Sequence, residues 1–317
     1  MKISCPAPAK LNLFLRVIGR RPDGYHQLQT VFRFIDLHDT LRFTVRKDGA
    51  VRRSNDVEGV TEEQDLCMHA ARMLQNETGC RLGVDIEVEK HIPLGGGLGG
   101  GSSDAATTLI ALNRLWKLGL SRRRLMQLGL RLGADVPVFV FGENAFAEGV
   151  GEELTAFPLA DAWYVVLFPP VHVSTAQIFA HPELTRNAVS ITMRALSERL
   201  LSNERQLQHV TDEGGRLREQ LPGSSSRTKG LRPTVSEQLL HNDLQPVVCK
   251  LYPEVARYLA WLDQSGKAMM TGSGACVFAE FANRGQAEAV IKQLPQGMRG
   301  VVAQGLEKHP LHDWMPD

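Results

Sequence analysis

The stretch PLGGGLGGGSSDAA, residues 93–106, has six glycines between positions 95 and 101, followed by Ser102 and Ser103. Glycine admits backbone conformations with positive φ and lets amide groups approach a ligand closely. A helix that begins at the two serines adds unpaired N–H groups and about half a positive charge. The stretch is therefore typical of a loop that binds phosphate groups. A flexible linker or a tight strand-to-helix turn is the structural alternative.

The residues on either side of the loop predict a strand before it and a helix after it. VDIEVEK, residues 84–90, alternates apolar and polar side chains as a half-buried strand does. SSDAATTLIALNRLWKL, residues 102–118, has apolar residues at helical spacing and predicts a helix that starts near Ser102 or Ser103. The resulting unit is strand, glycine loop, helix.

Other glycine-rich phosphate motifs fit this loop poorly. Gly95, Gly97 and Gly100 match GxGxxG, but a dinucleotide site needs an acidic residue about 20 positions later. No Asp or Glu occurs over residues 105–134. The Walker A pattern also fails, because the one Gly-Lys pair, at residue 266, precedes alanine. These observations disfavour a dehydrogenase and a P-loop enzyme.

The first third of the chain predicts a meander of antiparallel strands. Three runs, LNLFLRVIGRR (11–21), LQTVFRFIDL (28–37) and TLRFTVRKDG (40–49), are rich in β-branched and aromatic residues and are separated by turn residues. Two further segments, DLCMHAARMLQNETG (65–79) and SRRRLMQLGLRLG (121–133), have the apolar spacing of helices.

The second half begins with the buried strand WYVVLFPP, residues 163–170, after a turn-rich stretch over 142–158. We place a domain boundary just before this strand, which gives domains 1–158 and 159–317. Helices are predicted near 175–179, 190–201 and 235–262, and the polar residues 202–236 have the composition of a mobile insertion. The later segments AMMTGSG, ACVFAEF, RGQAEAVIKQL and GVVAQ read as strand, strand, helix, strand. This order favours an α+β, ferredoxin-like split-βαβ domain.

Composition limits the classes of partner. The 317 residues contain 36 Lys+Arg and 35 Asp+Glu, a net charge of +1, so the chain lacks the basic excess of a nucleic-acid binder. The five cysteines form no CxxC pair, and no run approaches the roughly 18 apolar residues that span a membrane. We expect a cytoplasmic protein with no membrane or nucleic-acid partner, as a monomer or weak homodimer.

Several motifs together resemble the GHMP kinases, a family named for galactokinase, homoserine kinase, mevalonate kinase and phosphomevalonate kinase. PLGGGLGGGSSDAA is similar to the ATP loop of that family. PAPAKLNLFLRVIGRRPDGYHQLQTVF, LGADVPVF, VSTAQIF and TGSGACVFAEF extend the resemblance over most of the chain. They are most similar to the branch that acts on a cytidine diphosphate alcohol.

The resemblance implies a two-domain α+β fold with the active site between the domains. It implies a small-molecule substrate, 4-diphosphocytidyl-2-C-methyl-D-erythritol, phosphorylated on its 2-hydroxyl in the non-mevalonate pathway to isoprenoid precursors. The implied cofactors are ATP and Mg²⁺, with Mg²⁺ bridging the nucleotide phosphates and no protein ligand assigned to it.

The resemblance also implies catalytic roles for Lys10 and Asp135. Asp135 in LGADVP would take the proton from the substrate hydroxyl, and Lys10 in PAKLNL would stabilise the developing charge. From the residues alone, an Asp after a helix-ending glycine is more often a turn residue and a Lys beside a strand more often a solvated charge. The implied ATP-binding residues are Pro93, Leu94, Gly95, Gly96, Gly97, Leu98, Gly99, Gly100, Gly101, Ser102 and Ser103.

A cytidine pocket follows from the same resemblance. Tyr25 and Phe179 would hold the pyrimidine ring between their faces, and His26 would hydrogen-bond to its edge. Asn12, Phe32 and Thr175 would line the same substrate channel. Packing within the sheet, or a role in a turn, is the alternative for these three residues.

The sequence departs from the family pattern at Asp65, where an asparagine near the adenine is usual. A carboxylate cannot donate a hydrogen bond as an amide does, so nucleotide preference is open at this position. Two rival functions remain. One is a kinase of the same superfamily that acts on another small alcohol. The other is a non-catalytic nucleotide sensor, which would have no need for both Lys10 and Asp135.

Overall fold

The computed structural model describes residues 2–196, residue 198 and residues 241–315. The predicted insertion over 202–236 lies outside the described residues. Of the helix predicted over 190–201, residues 193–196 and 198 are helical, residues 190–192 are not helical, and residues 197 and 199–201 lie outside the described residues.

The described residues contain ten strands and eight helices whose bounds are defined. The strands are β1 (Lys2–Arg20), β2 (His26–Arg46), β3 (Val51–Arg53), β4 (Gly83–Glu89), β5 (Ala145–Glu148), β6 (Glu153–Ala156), β7 (Trp163–Leu167), β8 (Ala268–Met270), β9 (Val277–Phe281) and β10 (Gly300–Leu306). The helices are α1 (Leu66–Thr78), α2 (Gly100–Leu115), α3 (Arg122–Leu132), α4 (Val136–Phe141), α5 (Thr175–Ala180), α6 (Gln245–Leu251), α7 (Pro253–Leu262) and α8 (Arg284–Ile291). Short 3₁₀ turns occupy Glu62–Gln64 and His312–Trp314.

The N-terminal hairpin differs from the predicted meander. The runs over 28–37 and 40–49 form one strand, β2, which pairs antiparallel with β1 from Lys2 opposite Thr44 to Arg20 opposite His26. The pairing shifts between Pro8 and Ala9, and such bulges bend a strand without ending it. The predicted third strand is therefore the second half of β2.

The strands join in one mixed sheet in the order β3-β4-β2-β10-β7-β9-β8, with β1 and β5 also paired to β2. β10 links the two halves, because Gly305 and Leu306 pair with β2 while Gly300–Gln304 pair with β7. The order β10-β7-β9-β8 with α8 between β9 and β10 is the predicted split-βαβ arrangement. The fold is α+β, as the sequence predicted.

Two apolar cores cover the sheet. One packs α1, α2, α3 and α4 against β2 and β4, and the other packs α6, α7 and α8 against β7 and β9. The largest buried side chains in these cores are aromatic and aliphatic, as burial of apolar area requires. No helix in the described ranges has the length and apolar character needed to cross a bilayer.

Two local predictions are wrong for identifiable reasons. Residues 235–240 of the helix predicted over 235–262 lie outside the described residues. The described part contains two helices, since Tyr252 adopts φ −128° and ψ 82° ahead of Pro253, and proline disfavours a helical residue before it. The turn-rich stretch over 142–158 contains the β5–β6 hairpin. Its strands have four residues each, too short to give a clear alternation.

The helix that follows the glycine loop begins earlier than predicted. α2 starts at Gly100, because Gly99 has φ +73° and turns the chain into the helix. The amide of Ser103 donates to the carbonyl of Gly99 at 2.8 Å. The preceding amides of Gly100, Gly101 and Ser102 thus form the first turn of the helix, where N–H groups have no intrahelical acceptor.

Candidate active site

A cavity of about 920 Å³ lies where the glycine loop meets both halves of the chain. All of the sequence-predicted site residues line it except Leu98 and Ser103. The lining residues from that prediction are Lys10, Asn12, Tyr25, His26, Phe32, Pro93, Leu94, Gly95, Gly96, Gly97, Gly99, Gly100, Gly101, Ser102, Asp135, Thr175 and Phe179.

Lys10 is a buried cation at the floor of this cavity. Its side chain is 3% exposed, and its Nζ donates to Oδ1 of Asn12 at 2.6 Å and to the carbonyl of Gly97 at 3.0 Å. Lys10 and Asn12 are two residues apart on β1, so both point to the same side of the sheet. The ammonium also lies 5.4 Å from the centre of the Phe32 ring. These contacts hold the charge in one place.

Asp135 supplies a carboxylate beside that cation. Its Oδ2 lies 3.3 Å from Nζ of Lys10, and its side chain is 38% exposed toward the cavity. Asp135 is the residue before α4, yet its carboxylate makes no capping hydrogen bond to that helix. Pro137 near the start of α4 lacks an N–H group that would need a cap. The carboxylate is thus left to face the cavity.

Asn12 connects Lys10 to a glycine-containing turn in the second half of the chain. Its backbone N–H donates to Oγ1 of Thr271 at 3.0 Å, and its side-chain amide donates to Oγ1 of Thr30 at 2.9 Å. The amide orientation is fixed by these contacts, which leave Oδ1 to accept from Lys10. Asn12 therefore positions Lys10.

The turn TGSG, residues 271–274, packs directly on the glycine loop. A Cβ atom on Gly97 would lie 2.2 Å from the carbonyl oxygen of Thr271, and one on Gly272 would lie 2.9 Å from the carbonyl oxygen of Gly97. The amide of Cys276 donates to the carbonyl of Gly96 at 3.0 Å. The glycines of the turn and of the loop permit this backbone-to-backbone approach.

Leu98 and Ser103 have structural positions. Leu98 is 1% exposed in an apolar cluster, and its carbonyl accepts from the amide of Lys10 at 3.0 Å. Ser103 is fully buried in α2. Leu98 anchors the loop to β1, and Ser103 does not line the cavity, whereas Ser102 does.

Lys90 is a cavity residue that sequence reasoning missed. Its ammonium is held between the carboxylates of Asp39 and Asp104, with Asp104 Oδ2 at 2.7 Å. Asp39 also accepts from the amides of His91 and Ile92 at 2.6 and 2.8 Å. Burial lowers the pKa of Lys90, but the two carboxylates outweigh it and raise that pKa overall. A fixed positive charge therefore lies next to Gly100 at the start of α2.

The aromatic side chains at the opposite end of the cavity are consistent with binding a flat ring. Tyr25 is 63% exposed, and the rings of His26 and Phe179 lie 5.0 Å apart with a 31° tilt. Arg186 donates from Nε to Nε2 of His26 at 3.1 Å. Thr175, at the start of α5, hydrogen-bonds through its hydroxyl to the hydroxyl of Ser273 at 2.7 Å.

Three residues in or beside the cavity had no clear signal in the sequence. Lys90 and Arg186 acquire partners only through the fold, and His172 lies so close to Gly95 that a Cβ there would be 2.2 Å from its Nδ1. An isolated Lys, Arg or His is usually a solvated surface residue. A lysine directly ahead of the glycine loop was the one available hint for Lys90.

The departure at Asp65 has a local explanation. The Asp65 carboxylate accepts from the amide of Cys67 at 2.9 Å and so caps α1, and it lies 3.6 Å from Nη1 of Arg53. Asp65 is 6% exposed and does not line the cavity, whereas its neighbour Leu66 does. The Asp65 carboxylate thus stabilises the N-terminus of α1.

The arrangement combines three chemical capabilities. The glycine loop and the first turn of α2 offer N–H groups to an anion. Lys10 and Asp135 place a cation and a proton acceptor side by side. The aromatic end offers stacking surface. Such a set suits transfer of a phosphoryl group to a hydroxyl of a molecule that carries an aromatic base.

A divalent cation fits this cavity only as a partner of phosphate groups. Among the residues described, no three His, Cys, Asp or Glu side chains are grouped as a metal site. Mg²⁺ keeps several waters and needs few protein ligands. Ser102 lines the cavity, and its hydroxyl is an oxygen of the type that Mg²⁺ accepts.

Comparison with protein families gives two matches. Residues 65–143 match the GHMP kinases N terminal domain, and residues 234–300 match the GHMP kinases C terminal domain.

Curated relatives are similar over nearly the whole chain. A 4-diphosphocytidyl-2-C-methyl-D-erythritol kinase of Nitrosospira multiformis is 54% identical over 99% of this chain and 94% of its own length. The enzyme of the same name from Thiobacillus denitrificans is 52% identical over 100% of both chains. That from Nitrosomonas europaea is 52% identical over 98% of this chain and 99% of its own.

Solved structures share the fold. A crystal structure of 4-(cytidine 5'-diphospho)-2C-methyl-D-erythritol kinase aligns with a TM-score of 0.73 at 30% identity, covering 96% of this chain and 99% of that one. A homoserine kinase from Cytophaga hutchinsonii aligns with a TM-score of 0.63 at 15% identity, covering 97% and 95% of the two chains, a likeness of fold alone.

Proposed function

The chain belongs to the 4-diphosphocytidyl-2-C-methyl-D-erythritol kinases of the GHMP kinase superfamily, and from this premise we propose how its residues carry out the reaction. It is an ATP-dependent kinase that phosphorylates the 2-hydroxyl of 4-diphosphocytidyl-2-C-methyl-D-erythritol, a step of the non-mevalonate route to isoprenoid precursors.

The observation that carries the proposal is the 3.3 Å separation of Lys10 Nζ and Asp135 Oδ2 in the cavity that the glycine loop also lines. Asp135 accepts the proton of the 2-hydroxyl as that oxygen forms a bond to the γ-phosphorus of ATP. The bond from this phosphorus to the β,γ-bridging oxygen breaks, and ADP leaves. A positioned base of this kind contributes about 10²- to 10⁴-fold in rate. Its exposure to the cavity and the absence of a capping bond support this role.

Lys10 stabilises the negative charge that the hydroxyl oxygen and the transferred phosphoryl group carry during transfer. Its Nζ is held by Asn12 and Gly97, so little reorganisation is needed when charge develops. Phe32 provides an apolar floor under the ammonium and limits the access of water.

The nucleotide phosphates bind along residues 93–102. The amides of the first turn of α2 donate to phosphate oxygens, and the positive end of the helix favours their charge. The Lys90 ammonium also lies near Gly100, with its charge offset by the carboxylates of Asp39 and Asp104. Mg²⁺ bound with ATP would neutralise phosphate charge, and Ser102, which lines the cavity, carries a hydroxyl oxygen that would hold it.

The pyrimidine of the substrate binds at the aromatic end. Tyr25 and Phe179 stack on its faces, and His26 hydrogen-bonds to its edge. Asn12, Phe32 and Thr175 line the channel between this end and the reacting hydroxyl. The division into domains 1–158 and 159–317, the cytoplasmic location and the monomeric or weakly dimeric state stay predictions.

The experiment that tests the proposed function is ADP release by purified protein with ATP and Mg²⁺. The diphosphocytidyl alcohol is compared with mevalonate, homoserine and galactose at equal concentrations. Turnover only with the cytidyl substrate is the expected result. Efficient turnover with another alcohol would contradict the substrate, and no turnover with any would favour the nucleotide sensor.

A further inference from the structure

Arg186 ties together the two segments that form the aromatic end of the cavity. Its Nε donates to Nε2 of His26, the first residue of β2, at 3.1 Å. Its Nη2 donates to the carbonyls of Phe179 and His181 at 3.0 and 2.8 Å, and its Nη1 donates to the carbonyl of Leu184 at 3.1 Å. One guanidinium thus contacts the histidine and the chain of the phenylalanine that face each other.

The contact with His26 determines where that imidazole carries its proton. A guanidinium has only donors and stays charged in proteins, so Nε2 of His26 must be the acceptor. In a neutral imidazole with Nε2 unprotonated, the proton is on Nδ1. A doubly protonated ring would place an N–H group against the N–H of Arg186, so this contact excludes the charged form.

The surroundings of His26 favour the same neutral form. Burial lowers the pKa of His26, and the positive charges of Arg186 and Arg20 lower it further. Arg20 lies opposite His26 in the pairing of β1 with β2, and the Phe179 ring covers another side. The imidazole is thus flanked by two cations and an aromatic ring.

The second nitrogen of the ring is the one left for a ligand. Nε2 is occupied by Arg186, His26 lines the cavity, and no described residue accepts a hydrogen bond from Nδ1. The Nδ1–H group is therefore a donor with a fixed identity. Cytosine presents an unprotonated N3 on its pairing edge, whereas uracil has an N–H group at that position.

We propose that Arg186 locks His26 in the neutral Nδ1–H form and thereby makes this enzyme select cytosine over uracil in the diphosphonucleoside part of its substrate. Arg186 is a positioning residue, since it acts through His26 and through the carbonyl groups at the end of α5. The inference rests on the proposed function, because it requires the pyrimidine to bind beside His26.

Arg186 also holds the C-terminal end of α5 in place. The last carbonyl groups of a helix lack intrahelical donors, and Arg186 supplies donors to two carbonyls there. These contacts hold the backbone of Phe179, whose ring lies 5.0 Å from that of His26. Loss of Arg186 is thus expected to loosen both the edge contact and the stacking contact.

The first measurement needs no variant. Long-range ¹H–¹⁵N correlation on wild-type protein reports which ring nitrogen of each histidine is protonated, and the His26 signals are assigned by their loss in His26→Asn. At pH 7 we expect His26 to be protonated on Nδ1 alone. A His26 that carries its proton on Nε2 overturns the proposal.

The second measurement compares kcat/KM for the cytidyl substrate with that for its uridyl counterpart. In Arg186→Met, we expect His26 to shift toward the Nε2–H form and the preference for cytosine to fall by at least about tenfold, because a mispaired donor and acceptor at a specificity contact costs on this order or more. The loss should fall mainly on KM for the cytidyl substrate, with KM for ATP unchanged. Arg257→Gln, which removes a surface arginine paired with Glu254, is the matched control and should retain the preference.

The outcomes separate the inference from the function beneath it. Failure of the wild-type enzyme to phosphorylate the cytidyl alcohol would refute the proposed function. Normal transfer by the wild type, with the cytosine preference retained in folded Arg186→Met, would refute only the role of Arg186. If Arg186→Met does not fold, the wild-type protonation state of His26 still decides.

Discussion

Nζ of Lys10 lies 3.3 Å from Oδ2 of Asp135, although the two residues come from β1 and from the start of α4. The lysine side chain is 3% exposed and the aspartate side chain 38% exposed. The cation is thus enclosed while the carboxylate reaches the cavity. This asymmetry suits a fixed electrostatic group beside a proton acceptor that must meet the substrate.

Gly97→Ala should impair ATP binding. The new Cβ would lie 2.2 Å from the carbonyl oxygen of Thr271, and Gly97 has φ +76°, so both sterics and backbone conformation oppose it. We expect KM for ATP to rise at least about tenfold as the loop is displaced. Gly119→Ala is the matched control, because Gly119 has φ +67° with no atom within 4 Å of the new Cβ. A Gly97 variant with wild-type KM for ATP would contradict the loop assignment.

Tyr25→Ala should weaken binding of the cytidyl substrate without unfolding the protein. Tyr25 is 63% exposed, so its removal takes little from the core. Loss of one base-stacking face costs about 1–3 kcal/mol, which corresponds to roughly 5- to 150-fold in KM. Tyr25→Phe keeps the face and should stay near wild type. Steady-state kinetics and a thermal melt check both, and equal KM values for the alanine variant and wild type would remove Tyr25 from the pocket.

Asp65→Ala should destabilise the protein, whereas Asp65→Asn should not alter nucleotide choice. The carboxylate caps α1 through Cys67, and loss of such a cap costs about 1 kcal/mol. Asparagine retains a capping oxygen. Chemical denaturation measures the stability, and kcat/KM with ATP and GTP measures the preference. A changed ATP-to-GTP ratio in Asp65→Asn would mean that Asp65 contacts the base.

Asp104→Asn should make stability less dependent on pH. Burial raises the pKa of Asp104 to about 7, against the opposing charge of Lys90. A raised native pKa contributes stability that is full below the ordinary carboxyl pKa and is lost as pH rises through about 7. Each bound proton corresponds to a slope of at most about 1.4 kcal/mol per pH unit.

The check is urea unfolding of wild type and Asp104→Asn from pH 5 to pH 8. We expect the wild type to lose stability relative to the variant as pH rises. Asp161→Asn, at an exposed position, is the control. Parallel pH profiles for wild type and Asp104→Asn would contradict a raised pKa in the folded state.

Local patterns were enough to predict much of the fold. The alternation over 84–90 and the helical spacing over 65–79 and 121–133 correspond to β4, α1 and α3. The predictions were wrong where the apolar spacing or the composition of a segment did not reflect its backbone conformation. The prediction of one helix over 235–262 did not take account of the effect of Pro253 on the residue before it. The turn-like composition over 142–158 gave no signal for the short strands β5 and β6.

The site was predictable as far as it lies in compact motifs. Residues 93–102, Lys10 and Asp135 carried recognisable signals, and all of them except Leu98 line one cavity. Lys90 and Arg186 did not, since each is defined by partners distant in sequence, such as Asp39 and His26. A charged side chain alone does not reveal whether the fold will pair it or leave it in water.

The central claim, that Asp135 is the proton acceptor next to Lys10, is tested most directly by single-turnover phosphoryl transfer in Asp135→Asn, with ATP and substrate binding measured by calorimetry on the same protein. The account predicts binding of both ligands within about threefold of wild type and transfer slower by at least about 10²-fold. Transfer at the wild-type rate by Asp135→Asn would contradict it.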